Sequence, residues 1–185
     1  MNILKNKKAL STVVTTLIIL VVSVLLATVV TFYAINVTTT RVQEESLFLT
    51  KPHVWYSTTD ARAEGALIII NTGGRDVVID KITARGQEKA WTDVYYNVTS
   101  GSISADLSYN STLTDGGSIT IGGDPYVFTQ GTSGKDITLK SGQTMIIYIE
   151  QPDSIALNDV GTTVGLTVFS ANAQYYKEAN VEASE

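Results

Sequence analysis

The sequence predicts an α+β protein: a long N-terminal hydrophobic α-helix followed by an all-β sandwich head. Three observations lead there. An uncharged apolar run fills positions 10–35, the charged residues (17% of the chain) gather almost entirely beyond it, and after Pro52 short β-branched and aromatic runs alternate with Gly, Asn, Asp and Ser. With 185 residues the chain has room for one ordinary domain and an appendage. It lacks cysteine, which excludes disulfides, a thiolate nucleophile and Cys-based metal sites. A net charge of -5 without a basic cluster makes nucleic acid a poor partner.

The opening element is Leu10–Ile35, about 26 residues and long enough to cross the ~30 Å hydrocarbon layer. Lys5, Lys7 and Lys8 precede it, and the positive-inside bias holds them in the cytoplasm, so everything after Asn36 faces outward. The segment has three readings: a secretory signal cut after Phe32-Tyr33-Ala34, a permanent signal anchor, or a helix processed on its cytoplasmic side. The first conflicts with length, because the apolar region of a signal peptide runs about 7–15 residues. The third rests on Lys7-Lys8-Ala9-Leu10, where a basic pair and a small residue stand directly before the apolar run.

That arrangement resembles the processing site of archaeal type IV pilins. The resemblance implies a leader peptide at 1–9, cleavage between Ala9 and Leu10 by a prepilin peptidase, and a mature chain that keeps the whole hydrophobic helix. Bacterial members carry a Glu at the fifth mature position, which here is Val14, and this directs the resemblance to the archaeal branch.

At about 100° per residue, Thr12, Thr16, Ser23, Ala27 and Ala34 fall in one sector of about 60°. Small residues let helices approach closely, so this stripe is the expected helix–helix contact. Arg41–Phe48 can continue the helix and Lys51-Pro52 should stop it, giving a helix over 10–48 and a head over 49–185.

In the head, Ala66–Ile70 reads as a buried strand, Asn71-Thr72-Gly73-Gly74 as a turn and Val77–Ile82 as the returning strand of a hairpin. This stretch also resembles the first hairpin of many archaeal pilin and archaellin heads, which implies an immunoglobulin-like sandwich. Further strands are expected at Val94–Val98, Ser118–Ile121, Tyr126–Thr129, Ile137–Lys140, Thr144–Glu150, Thr163–Phe169 and Gln174–Lys177. In the best alternation Val164, Leu166 and Val168 face one way and Gly165, Thr167 and Phe169 the other, before a turn at Ala171-Asn172-Ala173. Between Thr99 and Gly134 the density of Ser, Thr, Gly and Asp reads as outer-surface loop.

Three sequons place candidate N-glycosylation sites at Asn36, Asn97 and Asn110. An enzyme finds no support: one histidine, His53, reads as an exposed linker residue, and no phosphate loop or nucleophile motif is present. The Asp115-Gly116-Gly117 and Gly122-Gly123-Asp124 turns match no EF-hand spacing, so neither metal nor cofactor is expected. Most of the aromatic residues, Trp55, Trp91 and Tyr95 among them, are expected in the core or an interface.

The expected function is structural. The precursor sits in the membrane with its N-terminus inside, is cleaved, and polymerises with copies of itself into an extracellular filament. By resemblance this requires an assembly ATPase and a membrane platform. An archaellin of a motility filament and a membrane-anchored extracellular binding protein are the alternatives.

Overall fold

The computed structural model describes residues 7–42 and 44–184, and the chain divides into two units between Gln43 and Glu44. The first unit is a single helix, α1 (Lys7–Val42), about 54 Å long at about 1.5 Å per residue. It has no glycine or proline, and its Thr and Ser hydroxyls fold back on carbonyls of the preceding turn. Thr15 Oγ1 donates to Ser11 O (2.9 Å), Ser23 Oγ to Ile19 O (2.7 Å) and Thr28 Oγ1 to Val24 O (2.8 Å).

The second unit is the head. Its strands are β1 (Leu47–Ser57), β2 (Arg62–Asn71), β3 (Val77–Ala84), β4 (Gln87–Lys89), β5 (Val94–Thr99) and β6 (Ser118–Ile121). They continue with β7 (Asp124–Val127), β8 (Thr129–Gln130), β9 (Ile137–Leu139), β10 (Thr144–Glu150), β11 (Thr163–Ser170) and β12 (Gln174–Ser184). Ten of them form one curled mixed sheet in the order β4-β3-β11-β12-β1-β2-β10-β5-β8, with β9 added on β3. A separate hairpin joins β6 to β7.

The sheet curls so that its two halves pack across one core, as the layers of a sandwich do. One half supplies Leu67, Ile69, Met145, Ile147 and Ile149; the other supplies Ile79, Ile82, Val164, Leu166 and Val168. The halves meet at the parallel pair β1–β12, with Val54 opposite Val181 and Ser57 opposite Ser184. The alternation expected on β11 is present, with Val164, Leu166 and Val168 fully buried, and the chain turns at Ala171–Ala173 as its sequence indicates. The α+β class, one long apolar helix followed by a β-sheet head, holds.

Four expectations are corrected. The helix does not reach Phe48: it ends at Val42, and Leu47–Ser57 is strand β1. Leu47 and Leu49 are buried while Phe48 is exposed, a period of two that fits the edge of the apolar β2. Pro52 stops no helix. It lies in β1 where the register shifts between Thr50 and His53, beside Lys51 in the left-handed region (φ 50°), so the missing N–H falls at an irregularity of the ladder.

The 66–82 region is not a hairpin either. β2 pairs with β1 and β10, whereas β3 pairs with β11, β4 and β9 in the other half of the sheet. The Asn71–Gly74 turn crosses the core edge and grips the entry of the head. Thr72 N and Gly73 N both donate to Ser46 O (2.9 and 3.0 Å), and Asn71 Nδ2 donates to Arg75 O and Leu139 O (2.8 and 3.0 Å). From the opposite side, Asn172 Nδ2 and Ser170 Oγ donate to the Glu45 carboxylate.

Finally, the 99–134 segment is more than surface loop. Leu107, Leu113, Ile119, Ile121 and Phe128 are buried against Ala66, Ile68, Ile146 and Tyr148, forming a second core on the outer face of β2 and β10. Both strands are therefore covered on both faces, which explains why they read as unbroken apolar runs.

Candidate functional site

Two surfaces carry chemistry: the uncovered apolar helix and the strapped outer face of the head. On α1 the stretch Leu10–Thr40 is long and apolar enough to cross a membrane, and nothing in the described chain covers it. Leu10 is 60% exposed, and Phe32 and Tyr33 about as fully so, giving an apolar surface on every side. A helix without a wet face is stable only in lipid or among other apolar helices.

The expected packing residues all lie on this surface. Thr16 Oγ1 donates to Val13 O (2.9 Å), and the carbonyls of Ala27 and Ala34 accept from Thr31 (2.7 Å) and Thr38 (2.8 Å). The hydroxyls of Thr16 and Ser23 are thus satisfied within the helix and leave only small methyl or methylene bulk on the stripe through Thr12, Thr16, Ser23, Ala27 and Ala34. Ala27 also lines a shallow notch with Val24, Thr28, Thr31, Phe32 and Ile35. Of the expected cleavage site, Leu10 lies within α1 and Ala9 is helical in backbone. Lys5 lies outside the described residues.

The sequons fall in three different settings. Asn36 is exposed on α1. Asn97 is half-buried on β5; its Nδ2 donates to Val127 O (2.7 Å), and its Oδ1 is buried without a partner. Asn110 sits in an Asx turn, with Thr112 N donating to its Oδ1 (3.0 Å), and among the described residues its Nδ2 makes no hydrogen bond.

Asn110 belongs to a strap, residues 104–113, tied along its length to the sheet beneath. Lys51 Nζ donates to Ser104 O and Ala105 O, and His53 Nε2 donates to Asp106 Oδ1 (2.9 Å). Tyr148 Oη donates to Ser108 O (3.0 Å), Tyr109 Oη to Asp60 Oδ2 (2.7 Å), Asn110 N to Glu64 Oε1 (2.9 Å) and Arg62 Nη1 to Ser111 O (3.2 Å). His53 is no linker residue: its ring stacks on Trp55 (centroids 5.0 Å apart, 3° between planes) and its hydrogen bond holds the Asp106 carboxyl below its ordinary range.

Among the described residues Glu64 is the one charged residue with no exposure at all. Burial pushes its carboxyl up from 4.5 to about 8, against the smaller opposing pull of the Asn110 N–H and Arg62. Burial also raises the hydroxyl of Tyr148 on the neighbouring strand. Arg62 gives its strongest bond to Glu150 (2.9 Å) and stands 3.9 Å from Glu64. Outside this cluster a cleft of ≈240 Å³ is lined by Arg62, Lys89, Asp93, Glu150 and Gln151, where the Lys89–Asp93 pair (3.1 Å) and the Arg62–Glu150 pair neutralise one another's walls. Among the described residues no three His, Asp or Glu side chains converge as metal ligands, and Asp115 accepts from Gln130 N (2.9 Å). Of the aromatic residues of the head, Trp55, Trp91, Tyr95 and Tyr148 are buried, and Tyr176 is 58% exposed.

Sequence reasoning passed over Arg62, Glu64 and Glu150. The signal was present: in a strand buried on both faces, a Glu two positions before the buried Ala66 shares its face, and Glu150 stands opposite Glu64 in the ladder.

No family model and no curated protein matches the chain. Among solved structures, a family 123 glycoside hydrolase from Clostridium perfringens aligns at 8% identity and a TM-score of 0.33, covering 77% of this chain and 28% of that one. The ligand binding region of serine-glutamate repeat protein A of Enterococcus faecium aligns at 12% identity and a TM-score of 0.26, covering 77% and 98%. At such scores neither likeness carries an argument about fold, catalysis or binding.

Proposed function

We propose that the chain is the structural subunit of an extracellular archaeal type IV pilus-like filament used for attachment. One observation carries the reading: an apolar helix without a wet face precedes a head that has its own closed core. Such a helix passes from lipid into a bundle of identical helices without meeting water, and the transfer between two dry environments keeps the step reversible in free energy. The heads then form the sheath of an open polymer through repeated heterologous contacts. In this reading a prepilin peptidase cuts between Ala9 and Leu10, an assembly ATPase and membrane platform drive extraction, and the precursor waits in the cytoplasmic membrane with its N-terminus inside.

The filament is glycosylated in this reading, and Asn110 is the favoured acceptor. A glycan on Asn97 would displace the bond from Nδ2 to Val127 O and crowd a half-buried strand, whereas Asn110 Nδ2 has no bond to lose.

Electron microscopy and mass spectrometry of filaments sheared from cells test the proposal together. Fibres of this subunit with a mature N-terminus at Leu10 support it; material retaining Lys5–Lys8 points to an uncleaved anchor and rejects it. A glycan mass on the peptide carrying Asn110, absent from that carrying Asn97, is the expected modification pattern.

A further inference from the structure

We propose that Glu64 is a proton-controlled latch for the strap: with its carboxyl neutral the segment 104–111 lies closed on the sheet, and loss of the proton favours its release. The inference concerns the head alone and is independent of how the chain assembles.

Geometry carries the argument. Glu64 has no exposure, yet only one of its oxygens is bonded, and that bond comes from the strap itself, Asn110 N to Oε1 at 2.9 Å. Oε2 accepts no hydrogen bond, and the nearest cation, Arg62 Nη2, is 3.9 Å away and committed to Glu150 at 2.9 Å. A second acid, Glu150, faces Glu64 directly across the β2–β10 ladder. An ionised Glu64 would thus be a desolvated charge with half a partner and a like charge beside it, whereas a neutral carboxyl leaves only one buried O–H unpaired, the smaller cost.

Charged and titratable groups act on it from its own strand and from β10: Arg62 shares its strand, and Glu150 and Tyr148 come from β10. On β1 the residue opposite is the uncharged Trp55; Tyr95 lies one strand further out, opposite Tyr148, and the strap carries Tyr109, bonded to Asp60 of the β1–β2 turn. Of the charged groups only Arg62 favours the anion, and it is shared; the Asn110 N–H favours it too, but burial outweighs both. When the strap lifts, water reaches Glu64 and its acidity returns toward the ordinary 4.5, against about 8 when closed. Closure is therefore tightest below pH 4.5, weakens as pH rises toward 8, and is level above it. The 104–106 end is held by Lys51 and by the His53–Asp106 pair, which do not involve Glu64, so the proton acts first on 108–111, where the Asn110 bond lies.

Amide hydrogen exchange of the full-length chain in detergent micelles tests this, with intrinsic exchange rates subtracted. In the native protein, opening of 104–111 should increase about tenfold per pH unit between pH 5 and 8 and then level. In Glu64→Gln, opening should stay low and flat across that range; Asp106→Asn should keep the slope. A flat native profile, or a slope that survives in Glu64→Gln, overturns the latch. Should Glu64→Gln fail to fold, infrared spectroscopy of the native protein decides. A protonated carboxyl band persisting to neutral pH and lost near pH 8 supports the latch, and a band lost by pH 6 refutes it.

Discussion

At Gly73 the chain has no room for a side chain. A Cβ there would lie 2.6 Å from Glu44 O and 2.7 Å from Ser46 N, because the turn presses against the segment whose Ser46 carbonyl it binds. Backbone on both sides cannot yield as a flexible side chain would. Gly73→Ala should therefore destabilise the head by about 1–3 kcal/mol, read as a lower midpoint in thermal or urea unfolding. Gly101→Ala is the comparison: a Cβ there would meet only Thr99 Oγ1 at 3.6 Å, an ordinary contact, so a loss equal to that of Gly73→Ala would show that the grip on Ser46 is not the cause. The sequence shows the Gly-Gly pair and marks a turn. It cannot show what that turn touches, because the partner is residue 46, on the far side of β1 and β2. Glu64 escaped notice for a similar reason: its burial depends on a strap some forty positions further along the chain.

Single elements behave as their two faces require. The apolar runs of β2 and β10 were legible because burial on both sides demands apolar residues at every position, and β11 because burial on one side imposes strict alternation. β1 was not, since Lys51-Pro52 imitates a helix stop and only the pairing with β2 makes the segment a strand. In the strap, Leu107 and Leu113 act as plugs in the second core. Leu107→Ala should cost about 2–5 kcal/mol of local stability. Hydrogen exchange would then quicken over 104–113 while the amides of β10 in the main core hold; uniform quickening through the head would show that strap and sheet open together. On α1, the pair Thr16→Leu and Ala27→Leu adds bulk to the stripe without reducing its fit to lipid. The variant should reach the membrane in normal amount and yield few or no filaments. Normal filaments by electron microscopy would dispose of the stripe as the contact surface.

Over the whole molecule, apolar area is divided between a helix that buries none of its own and a head that closes over two cores. Residues 44–185 should therefore fold without the helix, with one cooperative unfolding transition and a dispersed amide spectrum in water. Aggregation of that fragment, or recovery of structure only when 1–43 is restored, would show that the helix contributes to the head. The division into apolar span and β-rich head was legible from composition alone, because transfer into a dry environment depends on length and polarity and not on tertiary partners. The order of strands was not. It is fixed by contacts between segments far apart, such as β3 with β11, and local pattern carries no record of them.

The parallel seam between β1 and β12 also sets a timetable. Val54 and Val181 stand side by side, yet nearly the whole head is synthesised between them. β2 reaches its neighbour β1 early, but the curled sheet cannot join its halves until residues 181–184 have left the ribosome. Until then the inner faces of β2 and β11 are wet and available to other chains. A nascent head is thus an open book whose spine is the last part bound, and any factor that shields it has to act before that binding is complete.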